Sequence, residues 1–371
     1  MPDLVPRTNA PKEDHPTEAN PMEASRNHRI FGIDLLKIMA MAMVVTLHLL
    51  FHGGVVEATP RNSPSGMLLW LFWAENYCAV DLFVLASGWL LVCKPFRPER
   101  LLLLGCQVYF TSIVIRLVAI PFLHGNVHWV SILSDYWFWN AYLAIALVSP
   151  ILNEGVKQLA STWPRRSMWI LVSVIALSFT VLPFRGVENG YGPLWLSVPY
   201  LVGATARLTL PVEWSGRARR RLLLAAVALP AFGVAVRFLC WKSGLETPLL
   251  LHPFHYHSPL VLATALCWLL FFAGLRIRKI PAALRLASAA SFGVYLVHDN
   301  PVIRSTLVEG RFAGLGKQSP VVLFSGLILS VFAIYTAAMI LDGFRMLLFK
   351  KLGVAERLGA LVSLIRSAIL R

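Results

Sequence analysis

The sequence predicts an all-α, polytopic integral membrane bundle of about ten transmembrane helices, with the N- and C-termini both inside the cell. Three observations carry this. Of 371 residues, 57% are hydrophobic and only 14% charged, and mean hydropathy is +0.65, a balance that excludes a soluble globular enzyme. Apolar stretches near the length of about 20 residues that crosses a hydrocarbon core recur ten times. The basic residues, finally, alternate from loop to loop.

The elements follow in order. Residues 1–28, rich in Pro, Glu, Asn and Thr and without an apolar core, read as a disordered cytoplasmic tail and not as a signal peptide, so the first apolar segment, 30–51, serves as the insertion signal. An outer connection with Arg61 leads to segment 69–93, and an inner one with Lys94, Arg97 and Arg100 leads to 101–120. Segment 133–151 returns the chain to an inner connection with Lys157, Arg165 and Arg166. After 168–184 the outer side holds Arg185, and after 194–210 the inner side holds Arg217, Arg219, Arg220 and Arg221. Segment 221–240 ends at Lys242 outside, and 258–275 precedes Arg276, Arg278, Lys279 and Arg285 inside. Segment 287–303 is followed outside by Arg304, Arg311 and Lys317, and 319–344 is the last. Segments 168–184 and 287–303, at 17 residues, sit at the lower limit for crossing.

The inner connections thus hold fourteen basic residues, the two tails ten and the outer connections six. One missed helix would scramble this alternation, so the net charge of +15 is topological and implies no nucleic-acid partner. Residues 346–371 interleave Leu, Ile and Val with basic side chains, as an amphipathic helix on an anionic inner membrane surface does. Cys78, Cys93, Cys106, Cys240 and Cys267 show no paired or metal-type spacing and are assigned neither disulfide nor metal.

Ionisable side chains at membrane depth cost roughly 2.5–3.5 kcal/mol each on insertion scales and point to a functional site. In the first segment Asp34 and Lys37 can pair, while Lys37 and His48, eleven residues apart, share one helix face with backbones about 16 Å apart. His48 has no local partner and reads equally as a packed or a functional histidine. In the second, Asp81 precedes Ser87-Gly88, a pair that allows close helix approach; Arg116, Arg207 and Arg237 are its candidate counterions. The stretch Ser291 to Pro301, with Tyr295, His298, Asp299 and Asn300, lines a cavity or forms an interfacial cap, and its composition alone favours the cap. His252, His255 and His257 share one outer loop, where the want of neighbouring acidic or thiol ligands argues against a metal.

These motifs resemble membrane-bound acyltransferase family 3, and particularly its surface-polysaccharide O-acetyltransferase branch. Arg29-Ile30-Phe31-Gly32-Ile33-Asp34-Leu35-Leu36-Lys37, with ten residues between Lys37 and His48, is similar to the family's first-helix signature. Val80 to Leu90 resembles its Val-Asp-Phe-Phe and Ser-Gly motif. Trp137 to Leu143, leading to Ser149-Pro150-Ile151-Leu152-Asn153, and the Phe-Gly-Val-Tyr-Leu-x-His run of Phe292 to His298 resemble two later motifs. Four in order, over 29 to about 342, are specific.

The resemblance implies an acyltransferase domain over 29–345 that moves an acetyl group from acetyl-CoA to a sugar hydroxyl of a cell-surface or lipid-linked polysaccharide, in the inner (plasma) membrane. Under it His48 is catalytic, with Lys37 and Asp34 in the same motif. An imidazole near neutrality can take the hydroxyl proton or carry the acyl group itself. Asp81, Ser87, Arg116, Tyr295, His298 and Asp299 are the expected substrate-binding residues, and Arg97 and Arg100 the expected donor contacts. No cofactor or metal is expected beyond the donor, and membrane lipids surround the rest. The chain departs from the family in its third segment, where a dense arginine cluster is replaced by Arg97-Pro98-Glu99-Arg100 and Arg116 alone within the helix. A transporter of a glycan or lipid-linked sugar is the alternative, since a polar seam through a bundle also makes a path. The absence of inverted repeats or paired broken helices counts against it.

Overall fold

The computed structural model describes residues 31–121, 135–182, 188–211 and 214–369, so the expected disordered tail at 1–28 lies outside the described residues. Among them every regular element is helical. The principal helices are α1 (Phe31–Phe51), α2 (Pro64–Asn76), α3 (Ala79–Leu91), α4 (Pro98–Ala119), α5 (Trp137–Thr162) and α6 (Arg165–Val181). They continue as α7 (Pro193–Thr209), α8 (Gly216–Lys242), α9 (Pro259–Ala273), α10 (Ala282–His298), α11 (Pro320–Lys351) and α12 (Val354–Ile369). Five stretches are long and apolar enough to cross a membrane: α1, α2 with α3, α4, α8 and α11; α9 and α10 are apolar but shorter.

Segment 69–93 begins earlier than expected, at Pro64, and is broken at Tyr77 and Cys78 into α2 and α3. Ser63 caps α2 by accepting from the Gly66 N–H at 3.0 Å, and Pro64 at the first helical position costs no hydrogen bond. The amphipathic tail is split as well. α11 runs on to Lys351, Gly353 takes a positive φ of 61°, and α12 then packs against α4 with no fully buried residue.

The spatial centre is α1, which packs against α3, α9, α10 and α11. Small residues set these approaches, as membrane helices require for close backbone contact. A Cβ on Gly32 would run into the Phe272 carbonyl of α9, and one on Gly293 into the Asp342 carboxylate of α11. Gly88 of α3 and Gly203 of α7 face each other's helices at the Tyr200 and Leu85 carbonyls, which gives the expected Ser-Gly approach a named partner.

Polar residues inside the bundle find partners one by one. Ser288 Oγ donates to Asp34 Oδ1 at 2.9 Å, Ser291 Oγ lies 3.2 Å from the Tyr335 hydroxyl, and Arg345 closes on Asp342 through Nε at 2.6 Å and Nη2 at 3.0 Å. The expectation that an arginine pairs with Asp81 is corrected. Asp81, fully buried, accepts from the Trp195 indole N–H at 3.2 Å. Arg116 instead reaches Asp135 at 2.6 Å, with side-chain exposures of 2% and 1%, and Arg207 lies over the Trp89 ring. A buried guanidinium closed on a buried carboxylate is a compensated charge pair, which meets the cost of burying Arg116.

Candidate active site

Two helix ends meet to form the site. α1 stops at Phe51 because His52-Gly53-Gly54 follows and Gly54 takes a φ of 78°, conformational freedom that a Cβ would remove. α10 stops at His298 because Pro301 cannot continue a helix and disfavours helical backbone at the residue before it. Asn300 then caps the next turn, its Oδ1 accepting from the Val302 N–H at 3.0 Å. Its amide donates to the Tyr136 hydroxyl at 2.8 Å, which donates in turn to the Leu296 carbonyl at 2.7 Å. The end of α10 is thereby clamped to the residues that lead into α5.

There His48 Nδ1 lies 3.0 Å from His298 Nε2, with ring centroids 4.9 Å apart. His298 Nδ1 is 2.6 Å from the Val294 carbonyl oxygen. A carbonyl only accepts, so His298 carries its proton on Nδ1 and, when neutral, presents a bare Nε2. His48 must then donate from its own Nδ1, which leaves His48 Nε2 with a free lone pair. Its side chain is 20% exposed, so His48 is half-buried. Asp299 Oδ1 stands 3.5 Å from His48 Nδ1 and 3.3 Å from Arg304 Nη1, placing a nearly buried carboxylate where a positive His48 would need one.

The interfacial cap favoured for Ser291 to Pro301 is thus corrected: His298 is 4% exposed and Asp299 2%, both turned against α1. Tyr295, one turn before His298, packs its ring on Tyr136 and Phe138. Ser87 Oγ donates to the Phe83 carbonyl of its own helix at 2.9 Å. Asp81 and Arg116 make the buried contacts with Trp195 and Asp135 given above. Lys37 is half-buried three turns back along α1, and Arg97 and Arg100 are exposed at the start of α4.

Two residues at the site were not foreseen. His52 lies one turn past His48 with ring centroids 5.3 Å apart, a spacing of four that was available to read. Arg304 offers no local signal, because the segment after α10 folds back onto the end of α1, where the Gly310 and Phe312 N–H groups donate to the His52 and Gly53 carbonyls at 2.9 and 3.0 Å. His48, His52 and Asp299 bring one ligand atom each within 4.8 Å of one another, a donor set of the kind that holds a divalent cation.

The loop histidines lie elsewhere, beside α8. His252 Nδ1 accepts from the Phe254 N–H at 3.2 Å, and Arg237 Nη1 is 2.9 Å from His252 Nε2. Burial first, then the charges of His255 and Arg237, hold the His252 imidazole at about 4. An unfolded chain takes up this proton near 6.5 and the folded one does not, so stability present at neutral pH is lost as pH falls from there toward 4. Thermal unfolding followed by intrinsic fluorescence should show a midpoint that drops over this interval, and His252→Gln should make the drop smaller.

The acyltransferase domain model of family 3 matches residues 30–339, from the start of α1 to within α11. No curated protein and no solved structure matches the chain. Both halves of the histidine pair, 250 residues apart, fall inside the matched region. An apolar helical bundle whose first helix delivers His48 to this point, matched over more than half its length, belongs to acyltransferase family 3.

Proposed function

We propose that this membrane acyltransferase transfers acetyl from acetyl-CoA to a sugar hydroxyl of a cell-surface or lipid-linked polysaccharide, with His48 as the base. The free lone pair on His48 Nε2, fixed by the chain from Val294 through His298, is the observation that carries the reading. A sugar hydroxyl is a weak nucleophile at neutral pH. As its oxygen attacks the thioester carbon, the hydroxyl proton passes to His48 Nε2; the new C–O bond forms, the C–S bond breaks, and the proton is returned to the departing thiolate. His298 accepts from His48 Nδ1–H throughout and so holds the reactive tautomer, while Asp299 offsets the charge on the imidazolium.

The loop-by-loop distribution of basic residues supports an orientation with the Lys37 end of α1 toward the cytoplasm and the His48 end toward the outside of the inner (plasma) membrane. The donor then arrives past Arg97, Arg100 and Lys37, whose charges suit the phosphates of CoA. Asp34, tied to Ser288, fixes the rotation of α1 against α10 along this route. The reading is tested by comparing surface glycans of a deletion strain with those of its parent by NMR. The expected result is loss of an O-acetyl signal restored by the wild-type gene and not by His48→Ala; an unchanged glycan profile would refute it.

A further inference from the structure

A cavity of about 1160 Å³ opens at the end of α1, bounded by α2, the outer end of α8 and the loop that carries His252 and His255. Its volume exceeds the about 300–1,000 Å³ usual for small-molecule pockets, which leaves room for more than one sugar ring. It adjoins the histidine site, since Phe51, one turn past His48, forms part of its wall and packs its ring on Trp73 at 4.8 Å. Trp70, Trp73, Trp241 and Phe254 supply flat apolar faces, and Trp73 and Phe254 are stacked at 4.0 Å. Such faces suit the C–H faces of pyranose rings.

The charges are the unusual part. Arg237 lies over Trp70 and Phe254, with its carbon 6.0 and 5.7 Å from the ring centres, and Nη1 donates to Thr247 Oγ1 at 3.3 Å. Among the described residues no carboxylate stands within ion-pair distance of it or of Arg61, although Glu57 and Glu246 are exposed in the same wall. Arg61 lines the same cavity and its positive charge acts on Arg237, so the cavity wall carries two like charges without an ion-paired carboxylate. With Nη1 engaged by Thr247 Oγ1 and 2.9 Å from His252 Nε2, the Nε–Nη2 edge of the guanidinium is the one to take a carboxylate or phosphate in two parallel hydrogen bonds. Glu57 and Glu246 remain to accept from sugar hydroxyls.

We infer that this cavity is the acceptor subsite, and that it takes a saccharide bearing an anionic group, which Arg237 and Arg61 hold while neighbouring rings stack on the tryptophans. The inference rests on the sugar-acceptor reading above and names the class of sugar. The three tryptophans provide the signal for a test on the full-length protein in nanodiscs. Fluorescence titration with trigalacturonate, its fully methyl-esterified form, and inorganic phosphate separates the contributions. Trigalacturonate should bind and perturb the emission, and methyl esterification should weaken binding about tenfold or more, the loss expected for charge-assisted hydrogen bonds. Arg237→Gln should weaken it similarly, as should Arg61→Gln, whose exposed side chain carries no risk to folding. Displacement by phosphate alone would assign the site to any anion and overturn the saccharide claim; equal binding of the ester, or unchanged binding by both variants, would overturn the anionic claim. His48→Ala should bind trigalacturonate as the wild type does. Acetyl transfer to a neutral glycan without trigalacturonate binding would remove the subsite and keep the enzyme, whereas binding without any transfer would do the reverse.

Discussion

Replacing His48 with Ala should lower the turnover of acetyl transfer by about 10²–10⁴-fold, the range for loss of a positioned general base. The side chain removed is half-buried at the mouth of the site, and its loss leaves α1 packed through Leu36, Leu49, Leu50 and the Gly32 contact, so the protein should still fold and insert. The Michaelis constant for acetyl-CoA should change little, because the donor charges are expected to meet Lys37 and the basic inner surface. Turnover measured with purified protein in proteoliposomes, beside membrane protein level and unfolding temperature, checks both halves of the statement. A variant that retains wild-type turnover would remove His48 from the chemistry.

The second large effect belongs to His298. It contacts no substrate in this account and acts by accepting from His48 Nδ1–H, so it is a positioning residue. Its replacement by Leu keeps the volume buried between α1 and α10 but takes away the acceptor, and His48 is free to take the other tautomer or to rotate. Loss of a tautomer-fixing partner costs up to about 10⁴-fold in the best-studied histidine triad. His298→Gln restores a carbonyl oxygen within reach and should recover part of the turnover. A purely structural role predicts instead that both variants lose protein level together and that turnover per folded molecule stays unchanged.

The helices were legible in composition because each apolar segment meets the same demand, that its backbone hydrogen bonds be satisfied internally in a medium without water. Gly88 was legible for a different reason, as a small residue that lets two helices approach closely. The partners of buried charges were not. Asp81 is met by the neutral indole of Trp195 and Arg116 by Asp135, and nothing local to Asp81 distinguishes a guanidinium from an indole N–H. His48 was visible as an isolated polar residue at depth, and the family motif named it. What sequence cannot show is that His298 would reach it from 250 residues away, since that contact depends on where α10 stops and on the clamp from Asn300 to Tyr136. A histidine at the end of a helix followed by Asp-Asn-Pro reads equally well as an interfacial cap until its neighbour is known.

Passage of an acetyl group from CoA to a sugar hydroxyl at His48 is open to direct measurement. Incubating proteoliposomes with acetyl-CoA labelled in the acetyl group and extracted surface glycan, then recovering the glycan, measures this directly. The expected result is label on the glycan as an alkali-labile ester with the wild-type protein and background label with His48→Ala. Label that stays on CoA with the wild type, or reaches the glycan equally with both proteins, would contradict it.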